Sequence, residues 1–315
     1  MKIIGVENVS KFWGVILPFK FFNIEVRSAG GIGGFGVFAG GIFNNAVSSQ
    51  LTQTYNYSTD VVNSGSNLGI GRRYMGACGN YTVGIFAGGL IHPVLTNNIS
   101  NYVDKFIFSN NSVVQGTNLN TQGATNGVGN NTIGIFSSST LYTNLYTYSS
   151  DTIVAGGNLI ESHGNGGAAG NGIFGIIQGG GYIVGQGNVN KVQKYTYSNN
   201  TVTYGTNLDR FYAARDISAF GNTAVGIFAG GYSFYSERFT SKYNYQNNAV
   251  LGGSWLGVPR FWMGVSSNSL MGVLVGGEAA SYTDKYNLSN DSVGNGVVLS
   301  YVSNSSGVSS KPGGF

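Results

Sequence analysis

The chain has 315 residues, 42% of them hydrophobic, and its 20 Tyr, 19 Phe and 52 Gly stand against only 4 Pro. That composition supplies a large core and many tight turns, which excludes a disordered or low-complexity chain. Charged residues make up 9% of the total and sum to +4, with no Lys or Arg run longer than Arg72-Arg73, so no basic stripe exists to displace the counterions of a nucleic acid.

The first 33 residues read differently from the rest. Phe12 to Phe22, FWGVILPFKFF, is apolar but short and broken by Pro18 and Lys20, whereas a spanning helix needs about 20 largely apolar residues. Membrane insertion is not expected. Glu7 and the lack of a prompt small-x-small site argue against a signal peptide. Residues 1–33 are expected to be an N-terminal extension, serving as a closing strand or as a segment that docks on another protein.

From Gly36 onward one block recurs: GVFAGG at Gly36, GIFAGG at Gly84, the degenerate GIFSSS at Gly134, GIIQGG at Gly175, GIFAGG at Gly226 and GVLVGG at Gly272. The spacings of 48, 50, 41, 51 and 46 residues are those of a repeat architecture whose units bury their apolar faces on one another. Residues 34–315 are therefore read as one repeat domain.

The fourth unit, Gly175 to Val225, serves as template. GIIQGG predicts a buried strand, a, stopped by glycines at a turn with unusual backbone angles. KVQKYTY, with Val192, Tyr195 and Tyr197, predicts strand b. Asn199-Asn200 predicts a two-residue type I′ hairpin into strand c at Val202 to Tyr204. Gly205-Thr-Asn-Leu208 ends that strand and is echoed at Leu68, Leu119 and Leu159, with the outer Gly and Leu kept at Leu256 and Leu299. A small-residue fourth strand, AARDISAFGN, then leads to the next block, with Arg72, Arg210 and Arg260 in matching places before it. Four antiparallel strands per unit predict an all-β fold, a β-propeller of four-stranded blades. Six blades are favoured, the last from Gly272 to about Ser310; seven would follow if Asn8 to Phe12 and Lys311 to Phe315 completed another.

The paired glycines, the Tyr-x-Tyr of strand b and the polar turn resemble a kelch-type β-propeller over about 36 to 310. The chain departs from the usual pattern in lacking the strand c tryptophan, replaced by Val62, Val114, Val154 or Thr203. Its Asn- and Gly-rich phrasing is similar to kelch-like repeats in tail-fibre and adhesin-like proteins of tailed bacteriophages. That resemblance implies a non-enzymatic virion component at a tail fibre, baseplate or capsid surface. The implied partners are other virion proteins and a host glycan or protein receptor, met in a multi-copy assembly. A secreted or cell-surface glycan-binding lectin is the alternative.

The b-to-c hairpins are uniform, while the a-to-b links, on the opposite face, vary greatly. Variation at one loop position marks a face free to specialise. The candidate contact residues there are Phe43, His92, Tyr142, Tyr182, Tyr232, Phe234 and Tyr235, which supply aromatic platforms for sugar rings or a partner protein; packing under their own loops is the plainer reading. Lys105, Lys194, Lys242 and Lys285 recur in strand b. They are expected to form an outward row that discourages sheet-edge pairing, the alternative being a cation ring lining a pore.

No catalytic constellation stands out. His92 and His163 are the only histidines and have no metal-binding spacing, so neither metal nor cofactor is expected. Asp60, Asp151 and Asp291 fall in turns, and Asp104 and Asp284 are expected to pair with the adjacent Lys105 and Lys285. Cys78 is the only cysteine and reads as a small buried strand residue.

Overall fold

The computed structural model describes residues 34–43, 47–91, 98–123, 126–163, 166–179, 191–209, 214–277, 282–299 and 306–309. The N-terminal extension and the segments invoked for a seventh blade lie outside these residues. Six four-stranded antiparallel sheets form the blades of a β-propeller. Among the described residues no helix is long and apolar enough to cross a membrane.

Blade 5 shows the order from axis to rim: Ser218–Gly221, Val225–Ala229, Thr240–Asn244 and Val250–Gly252. The GIFAGG block is thus the second strand, not the first. The small-residue strand expected to finish each unit is the inner strand of the next blade. The same shift moves Ser306–Ser309 out of the sixth blade. It pairs antiparallel with Phe35–Ala39 of the first, setting Val308 against Val37. The ring closes by strand pairing, without a seventh blade.

Each second strand is sandwiched between sheets, so both of its faces are apolar; Val83–Ala87 and Val225–Ala229 are buried throughout. Each rim strand is half wet, as in Thr201–Tyr204. Six core clusters account for the packing, and each spans two neighbouring blades. The cluster of Phe38, Tyr55, Val273 and Leu299 joins the sixth blade to the first. The recurrent leucines 68, 119, 159, 208, 256 and 299 are all buried, and truncating one to Ala in such a core costs about 2–5 kcal/mol.

The block's glycines have two separate causes. Gly40 and Gly230 adopt φ of 71° and 64°, and a Cβ on either would lie 2.3 Å from the carbonyl oxygen of Arg72 or Arg260. The leading glycine instead makes room for a tyrosine: a Cβ on Gly226 would lie 2.6 Å from the Tyr245 hydroxyl, and one on Gly36 2.7 Å from that of Tyr57. Near the axis, a Cβ on Gly127 would lie 2.6 Å from the Ala77 backbone nitrogen, which explains why the inner strands are built from Gly, Ala and Ser.

The hairpins between third and rim strands are uniform but are not type I′. Thr196 pairs with Thr201, which leaves four residues in the loop, and only Asn200 has positive φ, 56°. Its counterparts Asp60, Asn111, Asp151, Asn248 and Asp291 lie between 54° and 57°. Asn and Asp tolerate this region better than other non-glycine residues. The side chain also collects the blade's tyrosine, as where Tyr195 Oη donates to Asn200 Oδ1 at 3.0 Å.

The strand b lysines neither line the axis nor guard an edge. Each crosses to the turn of the next blade: Lys105 to Asp151 at 3.0 Å, Lys194 to Asn248 at 3.2 Å, Lys242 to Asp291 at 2.6 Å and Lys285 to Asp60 at 2.6 Å. Asp104 and Asp284, expected to pair with adjacent lysines, turn the other way. They hold the buried guanidinium groups of Arg72 and Arg260. Neighbouring strand residues point to opposite faces, so sequence adjacency was a poor guide to pairing.

Candidate functional site

In an antiparallel blade, the links from second to third strand emerge on the same face as the links from each rim strand to the next inner strand. The second set governs the axial end of this face. In blades 2 and 6 its anchor is a buried arginine. Arg72 Nη1 donates to the carbonyls of Gly88 and Tyr102 at 2.7 and 2.6 Å, and its Nη2 donates to the Asp104 carboxylate. Arg260 repeats this with Gly276, Tyr282 and Asp284.

In blade 4 the pair becomes His163 and Gln193, joined side chain to side chain. Burial lowers the pKa of the His163 imidazole against an opposing hydrogen bond with the Gln178 backbone, so it is neutral at pH 7. Arg210 lies outside the described residues. Arg215 makes the same bridge to Tyr232 that Arg73 makes to Leu90, so Ala214, four residues after Arg210, is the counterpart of Arg72.

Two residues beyond Arg72, Ala214 and Arg260 the chain turns through the left-handed region. Tyr74, Asp216 and Trp262 have φ of 55°, 58° and 60°; Asp tolerates this region, whereas bulky residues such as Tyr and Trp held there cost of the order of 1–3 kcal/mol and cluster at functional sites. Tyr74 of blade 2 and Trp262 of blade 6 meet edge to face with centroids 5.7 Å apart. Blade 1 lies between these two blades, so the contact reaches across the axial mouth. The Trp262 backbone N–H donates to the Asp216 carbonyl of blade 5 at 3.4 Å.

An aromatic track leads outward from this contact. Trp262 packs on Phe261 at 4.4 Å and Phe261 on Tyr232 at 5.2 Å. Tyr232 opens the blade 5 link that carries Phe234 and Tyr235, which are 82% and 79% exposed. Arginines flank the track: Arg73 lies 5.1 Å over the Tyr74 ring and Arg215 5.3 Å over Tyr232. Arg215 is 3.5 Å from the Asp216 carboxylate, whereas Arg73 has no carboxylate partner among the described residues. The buried Arg73 Nε and Trp262 Nε1 find no acceptor there either. Burial pushes the Tyr74 hydroxyl up to about 12, with Arg73 and Arg215 opposing and Asp216 reinforcing the shift, so it stays protonated as a donor.

The seven candidate contact residues are thus divided. Tyr232, Phe234 and Tyr235 share the blade 5 link, and the first of them joins the track. Tyr142 is 60% exposed but stands on blade 3, two blades away. Phe43 lies in the short strand Ile42–Phe43 of the blade 1 link. His92 and Tyr182 lie outside the described residues. Arg73, Tyr74, Arg215, Phe261 and Trp262 were not anticipated.

Each described carboxylate has a polar partner. Beyond the pairs above, Glu161 binds Lys191 and Tyr204, Ser241 donates to Asp209, and Ser233 donates to Glu237. Among the described residues no three His, Cys, Asp or Glu are grouped to hold a metal ion. Cys78 is buried as expected; burial pushes its thiol up to about 12, against a hydrogen bond from the Tyr148 hydroxyl.

The fold places the chain among six-bladed β-propellers. It is similar to a solved structure titled "Structure of YjhT", with a TM-score of 0.65 and 11% identity over 83% of this chain and 97% of that one. At that identity the likeness shows the fold alone. No protein-family model and no curated protein matches the chain.

Proposed function

We propose that this chain is a non-enzymatic attachment protein of a virus particle, a tail-fibre, baseplate or capsid-surface component that binds a host-surface glycan. Propellers host many activities, so the reading has to rest on the site. The observation that carries it is the aromatic track from Tyr74 and Trp262 to the exposed Phe234 and Tyr235, flanked by Arg73 and Arg215. Aromatic faces stack on the apolar faces of sugar rings, while the guanidinium groups beside them carry further N–H donors for hydroxyls. The virion setting is supported by the phage-like Asn- and Gly-rich phrasing of the repeats. Multi-copy display would multiply a weak site by linkage.

The test is binding of the whole chain to a glycan array and to intact host cells. Phe234→Ser with Tyr235→Ser, both exposed, and Trp262→Ala are each expected to weaken binding at least tenfold with the fold retained by circular dichroism. Unchanged binding in both would overturn the site. The same mouth would serve a secreted or cell-surface lectin, the second reading. Mass spectrometry of purified particles separates them: fixed stoichiometry with tail or capsid proteins supports the virion, and a free chain supports the lectin.

A further inference from the structure

The lysine bridges between blades follow a rule with one exception. Where the third strand carries Lys105, Lys242 or Lys285, the next blade's turn supplies Asp151, Asp291 or Asp60. Where that position is Thr54 or Leu145, the next turn carries Asn111 or Asn200. The carboxylate appears where a lysine faces it. Lys194 breaks the pattern, because its partner is the amide of Asn248. It is the one bridging lysine without a carboxylate partner among the described residues.

This exception coincides with a groove of about 430 Å³ between blades 4 and 5, lined by Lys194, Thr203, Tyr204, Gly205, Thr206 and Asn248. No carboxylate is among its lining residues. Asn248 Oδ1 accepts from both Lys194 Nζ at 3.2 Å and Tyr243 Oη at 3.0 Å, so its Nδ2 is left as a donor. At the regular junction, Asp151 divides the two tasks, taking Tyr146 on Oδ1 and Lys105 on Oδ2. The Tyr204 hydroxyl is committed to Glu161 at 2.8 Å, and Glu161 is itself paired with Lys191. The Phe174 ring, 3.8 Å from Lys194 Nζ, covers one side of the ammonium.

We propose that this groove binds a tetrahedral oxyanion, a phosphate or sulfate group. Lys194 supplies the charge, and the Asn248 amide and the Thr203 and Thr206 hydroxyls supply the hydrogen bonds. An ammonium point charge among donors from several directions suits a tetrahedral anion, whereas a planar carboxylate is better matched by an arginine fork. The inference is independent of the axial mouth.

The experiment titrates the full chain with inorganic phosphate, sulfate and glycerol 3-phosphate by calorimetry, against sodium chloride of matched ionic strength. Saturable binding of one phosphate or sulfate per chain is expected. Asn248→Asp, which installs the residue found at the regular junctions, is expected to weaken binding at least tenfold without lowering Tm. Asp291→Asn, which copies the exception at Lys242, is expected to raise the stoichiometry to two. Binding of glycerol 3-phosphate as tight as that of the free ion assigns the site to an ester-borne group, and binding of the inorganic ions alone assigns it to free anions. Equal affinity in Asn248→Asp and the parent chain, or competition by chloride at matched ionic strength, would overturn the proposal.

Discussion

The Arg72 guanidinium and the Asp104 carboxylate, joined in blade 2 from positions 32 residues apart, form an ion pair in which the two side chains are 0% and 1% exposed. Removing one partner strands a buried charge. Arg72→Met or Asp104→Leu alone is therefore expected to cost about 3–5 kcal/mol in denaturant unfolding. The double substitution, which leaves no charge to strand, should recover much of that loss. If the single substitutions prove neutral, the pair does not anchor the link.

The bridge from Lys285 to Asp60 is half wet, with side chains 26% and 39% exposed. Lys285→Met is expected to cost only about 0.2–1 kcal/mol, shrinking as salt is added. A loss of several kcal/mol would show that the bridges carry the ring.

Acid should act on the turn carboxylates. Burial opposes ionisation of Asp60 and Asp151, but hydrogen bonds from Lys285 and Tyr55 to the first, and from Tyr146, Thr117 and Lys105 to the second, hold both below the usual 3.8. A folded value below the unfolded one means stability that is present above the unfolded pKa and lost as pH falls through the folded pKa. Unfolding free energy should decline from about pH 5 downward, and Asp60→Asn with Asp151→Asn should flatten that decline.

His163 adds an earlier step. Its imidazole is buried neutral and its pKa is lowered from 6.5, so the unfolded chain takes up the proton first. Stability is full above 6.5 and falls from there toward the lowered folded value. His163→Gln should remove this upper step and leave the carboxylate decline in place, as read from Tm against pH.

Ring closure can be tested by ending the chain before Ser306. That removes the partner of Phe35–Ala39 and bares an apolar strand edge, a template for pairing with another chain. The truncated chain should lose its single cooperative transition and associate with rising concentration, as followed by light scattering.

Much of the fold was legible because each repeat states its strands again. The six blocks, the Tyr-x-Tyr strands and the Leu68-type positions each have a local cause in packing. Where a blade begins was not legible, since a periodic sequence has no natural phase; only pairing shows that Ser218–Gly221 belongs with Val225–Ala229. The lysine bridges and the Arg72 pair join residues 30 or more positions apart, beyond the reach of local pattern. The axial mouth escaped for a further reason. Its positions differ from unit to unit, Tyr74 against Asp216 against Trp262, and the sequence alignment set Arg210 four residues away from Ala214, which fills its slot.

The pairing of Phe35–Ala39 with Ser306–Ser309 sets an order on assembly. On the ribosome, the opening strand emerges before the other described strands of the ring and its inner neighbour after them. Blades 2 to 6 can dock one on another in turn, like a fan being spread, while the first waits with one edge bare. The seam that shuts last is also the one place where a pull on the two ends of the chain could unzip the circle without first tearing a blade from its neighbours.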